Sequence, residues 1–183
     1  MKFKRLVIVL VSLLIICGII FFCTRGRQEE IVQGEIIPEE EISEEQERKT
    51  MISLYFKDKQ TGELTKENRM IDVKVLANNP YKSLVEMLIE GPKTENLQGT
   101  IPEGTKINDI NINGECIHVN LSKEFINNHE GGLDNESKTI YSIVNTLTEL
   151  NEVNFVRIFI DGEENLGFKD GNINFQENFQ RND

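Results

Sequence analysis

The sequence predicts an α+β fold in which two main helices pack on a mostly antiparallel sheet as a two-layer sandwich, preceded by one transmembrane helix. Three observations lead to this prediction. A long uncharged segment lies near the N-terminus. Several later segments place apolar residues at every second position, as half-buried strands do, and two others repeat them every three or four positions, as amphipathic helices do. Helices and strands interleave along the chain, and one strong hairpin signal favours antiparallel pairing.

The N-terminal segment has the length and the flanking residues of a membrane anchor. Lys2, Lys4 and Arg5 precede an unbroken run of 18 uncharged residues, 6–23. At about 1.5 Å per residue, a helix of this length spans roughly 27 Å, close to the ~30 Å hydrocarbon core of a bilayer. Basic flanks favour the cytoplasmic side, so residues 1–5 are expected to form a cytoplasmic tail of a single-pass protein whose soluble part lies outside the cell membrane.

Two alternatives to a retained anchor remain for this segment. A cleaved signal peptide has a shorter apolar core of about 7–15 residues and small residues at its cleavage site. Here Phe21 and Phe22 precede Cys23. A lipidated cysteine would need a small residue before it, whereas Ile16 precedes Cys17. A retained anchor fits these residues better than either alternative.

An acidic segment separates the anchor from the folded part. Residues 24–49 contain nine glutamates and few large apolar side chains, which predicts an extended linker. We expect one domain over residues 50–177, followed by a flexible tail at 178–183. All 31 acidic residues lie after the anchor, and this negative charge disfavours binding to nucleic acid.

The domain is predicted to begin with two strands joined by a turn. Apolar residues occupy every second position of the first strand: Ile52, Leu54 and Phe56. The second strand repeats the pattern at Ile71, Val73 and Val75. Thr61-Gly62, between the two strands, is typical of a turn.

A helix is predicted after the second strand. Asn79 can accept a hydrogen bond at its N-cap and Pro80 suits its first position. Gly91 and Pro92 are expected to end it. Its buried face consists of residues spaced three and four apart: Tyr81, Leu84, Val85 and Leu88.

A hairpin is predicted around Asn113-Gly114, because both residues tolerate the positive φ angles of a two-residue turn. Apolar residues alternate on both sides of it: Ile110, Ile112, Ile117, Val119 and Leu121. A turn at this position would place Ile110 opposite Ile117.

A second long helix and a final strand complete the predicted fold. The helix starts near Asp134, and its apolar stripe comprises Leu133, Ile140, Ile143, Val144, Leu147 and Leu150. The strand Val153–Ile160 is apolar at most positions, which is typical of a central strand covered on both faces. Asp161-Gly162 marks its exit turn, and Ile173–Phe175 is a candidate for one more short strand.

Two residues test the assignment of the second helix's faces. Leu147 lies on the apolar stripe, so we expect it to be buried against the sheet near the final strand. Glu149 lies off the stripe and is expected on the solvated face.

The sequence contains no common catalytic or cofactor-binding motif. We expect His118 on a strand and His129 in a loop to be surface or edge residues, and Cys116 to act as a small apolar residue. Asp109–Gly114 matches the first half of a calcium-binding loop, but the twelfth position is Asn120 instead of the bidentate glutamate. We therefore assign no catalytic, cofactor-binding or metal-binding residues and expect no cofactor.

Five short segments follow one another in a characteristic order across residues 51–171. They are Leu88–Pro92, Ile101–Thr105, Val119–Phe125, Asn145–Leu150 and Val156–Gly162. This succession resembles the GerMN domain, which is found in sporulation and spore germination proteins of Gram-positive bacteria. The resemblance implies a fold similar to the ring-building motif, and it gives structural roles to Gly91, Gly104 and Gly162 in turns, Pro92 and Pro102 at helix and loop ends, and Phe125 and Leu147 in the core.

The resemblance also implies a non-catalytic, membrane-tethered extracytoplasmic domain that assembles with other proteins. The expected partners are cell-envelope proteins, including a sporulation complex or further copies of the same chain. Membrane contact would be made through residues 6–23. This chain has one copy of the domain, whereas the founding germination protein of the family has two.

Two other classes of function stay open. The polar loop Asn127–Gly132 is rich in hydrogen-bonding groups and suggests an extracytoplasmic ligand-binding or sensory module for a small molecule or cell-wall fragment. An envelope enzyme would require Asp161, Glu163 and Glu164 to converge on a pocket. The simpler interpretation of these three carboxylates is a solvated acidic turn.

Overall fold

The computed structural model describes residues 48–164 and 166–181. The predicted tail at 1–5, the anchor at 6–23 and nearly all of the linker lie outside the described residues. Within the described ranges, no helix has the length and apolar character needed to cross a membrane.

The described residues form six strands and three α-helices, which confirms the α+β class. The strands are β1 (Lys49–Asp58), β2 (Leu64–Asp72), β3 (Leu97–Gln98), β4 (Ile107–Asn113), β5 (Cys116–Leu121) and β6 (Phe155–Ile160). The α-helices are α1 (Pro80–Glu90), α2 (Glu124–Asn127) and α3 (Leu133–Leu147), and a 3-10 helix covers Val73–Leu76.

The strands form two three-stranded sheets where the sequence suggested one. The first has the order β2-β1-β3 with antiparallel pairing throughout, and the second has the order β4-β5-β6. In the second sheet β5 pairs antiparallel with β4 and parallel with β6. Helix α3 packs against β1 and β6, and α1 packs against β1 and β4, so both helices contact both sheets.

The expectation that Val153–Ile160 forms a central strand was wrong. Strand β6 is an edge strand, and only alternate residues of it are fully buried. A C-terminal segment covers its free edge at one point, where Phe179 and Val156 exchange two backbone hydrogen bonds of 2.8 Å. The second face of β6 carries apolar residues that are only half-buried, and these made the strand resemble a central one in the sequence. Phe159, for example, is partly covered by the His118 ring and not by a packed layer.

The second strand was also placed wrongly. Strand β2 ends at Asp72, whose carboxylate accepts the Lys74 N–H and starts the 3-10 helix. As a result Val73 and Val75 are 41% and 48% exposed instead of buried. The two buried residues of β2 are the charged pair Glu67 and Arg69, which apolar alternation cannot reveal, whereas Ile71 on the same face packs only partly against the core.

The predicted hairpin is present, but its register differs by two residues. Ile110 lies opposite Val119, and the two turn residues are Gly114 and Glu115. Of these two only Gly114 has a positive φ angle, 62°, which is the pattern of a type II′ turn with glycine first. Asn113 therefore remains in strand β4 instead of entering the turn.

The two long helices agree closely with the sequence. Asn79 caps α1 by accepting the Lys82 N–H at 2.9 Å, Pro80 is its first residue, and Gly91 ends it with a φ angle of 92°. The α3 stripe is fully buried at Ile140, Ile143, Val144 and Leu147. Leu133, the first residue of α3, is 60% exposed, and Leu150, the last residue of the predicted stripe, lies beyond the end of α3 and is half-buried.

The core joins the inner faces of both sheets to the helices and to a cluster of three phenylalanines. Phe125 and Phe175 are fully buried and Phe168 nearly so, with ring centroids 5.2–6.2 Å apart. The candidate strand Ile173–Phe175 is an irregular segment with one isolated bridge, between Gly167 and Asn174. It is held by the burial of Phe175 and by two backbone hydrogen bonds around that bridge, from Phe168 N–H to the Ile173 carbonyl at 3.0 Å and from Phe175 N–H to the Leu166 carbonyl at 2.8 Å.

Residues beyond position 177, the domain boundary expected from the sequence, still pack against the domain. The Arg181 guanidinium contacts the Tyr55 hydroxyl and donates to the Glu149 carboxylate at 2.7 Å. Glu149 also accepts from Tyr55 at 2.7 Å and from Lys66 at 3.1 Å. The solvated position expected for Glu149 was therefore wrong, because partners distant in sequence surround it.

We expect Leu147→Ala to lower the free energy of unfolding by about 2–5 kcal/mol, because it removes a fully buried side chain and leaves a cavity. Leu133→Ala, in the same helix and of the same residue type, should cost less than about 0.5 kcal/mol because Leu133 is largely exposed. Urea unfolding of a fragment of residues 47–183 measures both. Equal losses would contradict the assignment of the helix faces.

Candidate functional site

A polar cleft lies where two loops meet the first turns of α3. One wall is the segment 98–103, the second is 128–130, and the third comes from α3. Lys57, at the end of β1, completes the lining. The cleft has a volume of about 280 Å³, near the lower end of small-molecule sites, which run from about 300 to 1,000 Å³.

Hydrogen bonds across its floor hold the loops in place. The buried Thr139 hydroxyl donates to the Thr100 carbonyl at 2.8 Å, and the Asn128 amide donates to the Glu103 carbonyl at 2.7 Å. Each bond joins residues more than 20 positions apart in the sequence. The cleft is therefore a feature of the tertiary fold, which no local motif encodes.

His129 is fixed as a neutral ring on this floor. Its Nδ1 accepts the Gly131 N–H at 2.9 Å, and its Nε2 lies 3.0 Å from the Thr139 hydroxyl, whose own proton is directed at Thr100. These contacts select the tautomer protonated on Nε2. Burial against the Phe168 ring, 4.3 Å away between centroids, lowers the pKa of His129 below its ordinary value. His129 is thus an internal support of the loop, not the surface residue expected from the sequence.

Two lysines bring positive charge to the cleft. The Lys138 side chain is 12% exposed, and its ammonium group pairs with the Asp134 carboxylate one helical turn earlier. The Lys57 ammonium group donates to the Asn135 side chain at 3.1 Å. The hydrogen bond from Lys138 lowers the pKa of Asp134, and the nearby charge of Lys57 acts in the same direction.

The structure brings together some of the residues singled out from the sequence and not others. The polar loop Asn127–Gly132 does line the cleft, through residues 128–130. Asp161, Glu163 and Glu164 lie at the exit of β6, away from it. Asp161 accepts from Asn108 at 2.9 Å, and Glu164 pairs with Arg157 at 2.9 Å. The convergence that the envelope-enzyme hypothesis required is not found among the described residues.

The remaining candidates have structural roles. Asp109–Gly114 forms part of β4 and its turn, as the strand interpretation predicts. Cys116 is half-buried in β5, where burial raises the pKa of its thiol. Within residues 48–164 and 166–181, no cluster of three or more histidine, cysteine or carboxylate side chains is placed to hold a metal ion.

Sequence reasoning missed exposed apolar residues on the outer face of the first sheet and in the 3-10 helix that follows β2. Met51 and Met70 are directly opposite each other on β1 and β2 and are 64% and 59% exposed. Val73 and Val75 follow β2 and are also exposed. We call these four residues the methionine–valine surface. No signal in the sequence indicated this surface, because Val73 and Val75 fit the apolar alternation of a buried strand. Their exposure became visible only in the structure.

Comparison with known protein families identifies the domain. A family model described as "Germane: Sporulation and spore germination" matches residues 53–166. The chain belongs to the sporulation and spore germination family. The GerMN resemblance inferred from the five short segments is thereby confirmed, and the described domain is of the GerMN type.

Solved structures of GerMN domains share this fold. The tandem GerMN domains of the sporulation protein GerM from Bacillus subtilis are 19% identical to this chain, with a TM-score of 0.61. The match covers 73% of this chain and 46% of that chain, so this chain matches about half the length of the tandem protein. The first GerMN domain of the same protein alone gives 21% identity, a TM-score of 0.61, and coverages of 73% and 99%.

A third structure, of a protein from Clostridium perfringens described as a candidate lipoprotein, is 25% identical with a TM-score of 0.50. The match covers 72% of this chain and 87% of that chain. A search of curated proteins finds no match.

The electrostatic cluster around Glu149 generates a pH prediction for this GerMN domain. Partial burial opposes ionisation, but hydrogen bonds from Tyr55, Arg181 and Lys66 outweigh it and lower the pKa of Glu149 from 4.5 to about 2. A carboxylate with a lowered pKa stabilises the fold above its unfolded pKa, and this contribution is lost as the pH falls towards 2.

We therefore expect Glu149→Gln to cost about 1–2 kcal/mol at pH 7, and the difference from the unsubstituted protein to shrink between pH 5 and pH 2. Urea unfolding at a series of pH values measures this difference. Glu95→Gln, which changes an exposed carboxylate, is the control and should cost little at any pH. A cost for Glu149→Gln that stays constant with pH would contradict the assigned pKa.

Proposed function

We propose that this chain is a non-catalytic, membrane-tethered extracytoplasmic GerMN protein that binds another cell-envelope protein in sporulation or spore germination. Family membership supports the process, and the apolar run at 6–23 supports the tether. The likeness to a candidate lipoprotein supports a place in the cell envelope. The observation that carries the binding role is the methionine–valine surface.

This surface is unusual because it combines exposed apolar side chains with a sheet edge. Met51 and Met70 point away from the core, since their neighbours Ile52 and Arg69 point into it. Strand β2 is an edge strand of its sheet, so its outer backbone groups can pair with another chain. Soluble domains usually cover or charge such edges, and exposed apolar groups beside one are typical of a binding surface.

The charges around the surface indicate the chemistry of the partner. Arg48 immediately precedes β1 and Lys74 follows β2 by two residues; both are exposed, in a protein with a net charge of −11. The partner is therefore an envelope protein that adds an extended segment to β2, with apolar side chains over Met51 and Met70 and acidic ones near the two cations. Strand addition of this kind takes its affinity from backbone hydrogen bonds and its specificity from alternate side chains.

Site-specific photo-crosslinking in membranes of sporulating cells tests this proposal. With the photoreactive residue in place of Met70 in the full chain, we expect one dominant adduct with a partner protein. Leu133, which is equally exposed but lies on α3, is the matched control and should give no such adduct. Adding Met51→Glu should remove the Met70 adduct, because a charge replaces the central apolar contact.

An adduct at Leu133 equal to that at Met70 would overturn the proposed surface. A Met70 adduct that persists with Met51→Glu would overturn the apolar contact that carries it. If deletion of the chain left both sporulation and germination unchanged, the proposed process would be wrong.

A further inference from the structure

We propose that the polar cleft binds a small zwitterion of amino-acid or dipeptide size, whose carboxylate is held by Lys57 and Lys138 and whose ammonium group is held by Glu103 and Glu130. This site is separate from the methionine–valine surface and does not depend on it. The inference is drawn from the charges that line the cleft and from the contacts each charge already makes.

The two lysines supply an anion-binding wall. Each ammonium group has three donors, and among the described residues each has a single acceptor, Asp134 for Lys138 and Asn135 for Lys57. Four donors are thus left for water or a ligand. Hydrogen bonds from a charged donor to a carboxylate are about twice as strong as neutral ones, so a carboxylate is the natural ligand group here.

Asp134 is the acidic partner that a ligand carboxylate would replace on Lys138, and it does not itself line the cleft. It is 74% exposed, whereas the Lys138 side chain that it pairs with is only 12% exposed. The lysine is therefore the fixed part of the pair and the aspartate the part that can swing into solvent. A ligand carboxylate can replace Asp134 on Lys138 without leaving any buried charge unpaired.

The other two walls restrict the ligand to a zwitterion. Glu103 and Glu130 line the cleft from the two loops, and both are exposed. They repel a simple anion such as acetate or phosphate, and they attract a ligand that also carries an ammonium group. The cleft volume of about 280 Å³ limits that ligand to a small molecule.

Calorimetric titration of the full chain in detergent micelles with dialanine tests the proposal. We expect saturable binding that weakens as the salt concentration rises, since the charges are partly exposed. N-acetylalanine, which lacks the ammonium group, and alanine amide, which lacks the carboxylate, should each bind at least tenfold more weakly than dialanine. Lys57→Gln combined with Lys138→Gln should weaken dialanine binding at least tenfold, whereas Lys82→Gln, on α1 outside the cleft, should not change it.

Two further variants should change the affinity or the ligand preference in ways that unfolding of the protein could not cause. Asp134→Asn removes the internal competitor for Lys138, so dialanine should bind several-fold more tightly. Glu103→Gln combined with Glu130→Gln should reduce the preference for dialanine over N-acetylalanine. The proposal is overturned if dialanine does not bind at millimolar concentrations, if Asp134→Asn leaves its affinity unchanged or lowered, or if the acetylated compound binds as tightly as dialanine.

Discussion

The buried ion pair between Glu67 and Arg69 connects the first sheet to the end of helix α1. The Arg69 Nε lies 2.5 Å from the Glu67 carboxylate, and both side chains are only 6% exposed. Arg69 also donates to the Gly91 carbonyl at 2.7 Å, and Glu67 accepts the backbone N–H groups of Lys93 and Thr94 at 3.0 and 2.9 Å. One pair of side chains therefore satisfies three backbone groups of the loop that follows α1.

The energetics of this pair explain why the loop is fixed. Burial opposes the charged form of Glu67, but hydrogen bonds from Thr94 and Arg69 outweigh it and keep the pKa of the carboxyl below its ordinary value. Because both side chains are buried, water does not solvate either charge. Removing one partner therefore leaves the other buried and unpaired. The Arg69 guanidinium also lies 5.5 Å from the Phe56 ring centroid, which ties the pair to the apolar core.

The pair also determines which face of β2 is exposed. Because Glu67 and Arg69 point inwards, the residues between and after them, Asn68 and Met70, must point outwards. The outward position of Met70 in the proposed binding surface thus follows from the buried charges. The cleft stands apart from this interaction, since its walls come from the segments around Thr100 and His129 and from α3.

Local signals in the sequence predicted the elements whose structure depends on neighbouring residues. Helix α1 has a cap, a proline and a terminal glycine within thirteen residues, and the stripe of α3 has a clear helical period. The edge position of β6 was not predictable, because partly covered and fully covered apolar residues look alike in a sequence. The position of strand β2 was not predictable because its two buried residues, Glu67 and Arg69, are charged.

The candidate sites show the same limit. The polar loop Asn127–Gly132 could be singled out from its composition, but Lys57 and the segment 98–103 also line the cleft, and only the tertiary fold brings them near the loop. Glu149 was misplaced because its partners, Tyr55, Lys66 and Arg181, are at least 32 residues away in sequence. Long-range polar contacts leave no periodic signal, so their positions had to come from the structure.

The central claim is that Glu67 and Arg69 act as one buried unit on which the arrangement of β2 and the α1 loop depends. A double-mutant cycle with Glu67→Gln, Arg69→Met and the combined variant tests it by urea unfolding of residues 47–183. Each single substitution should cost about 3–5 kcal/mol, and the combined variant should cost well below their sum, because no unpaired charge is left behind. Strictly additive effects, or single costs below about 1 kcal/mol, would contradict the account.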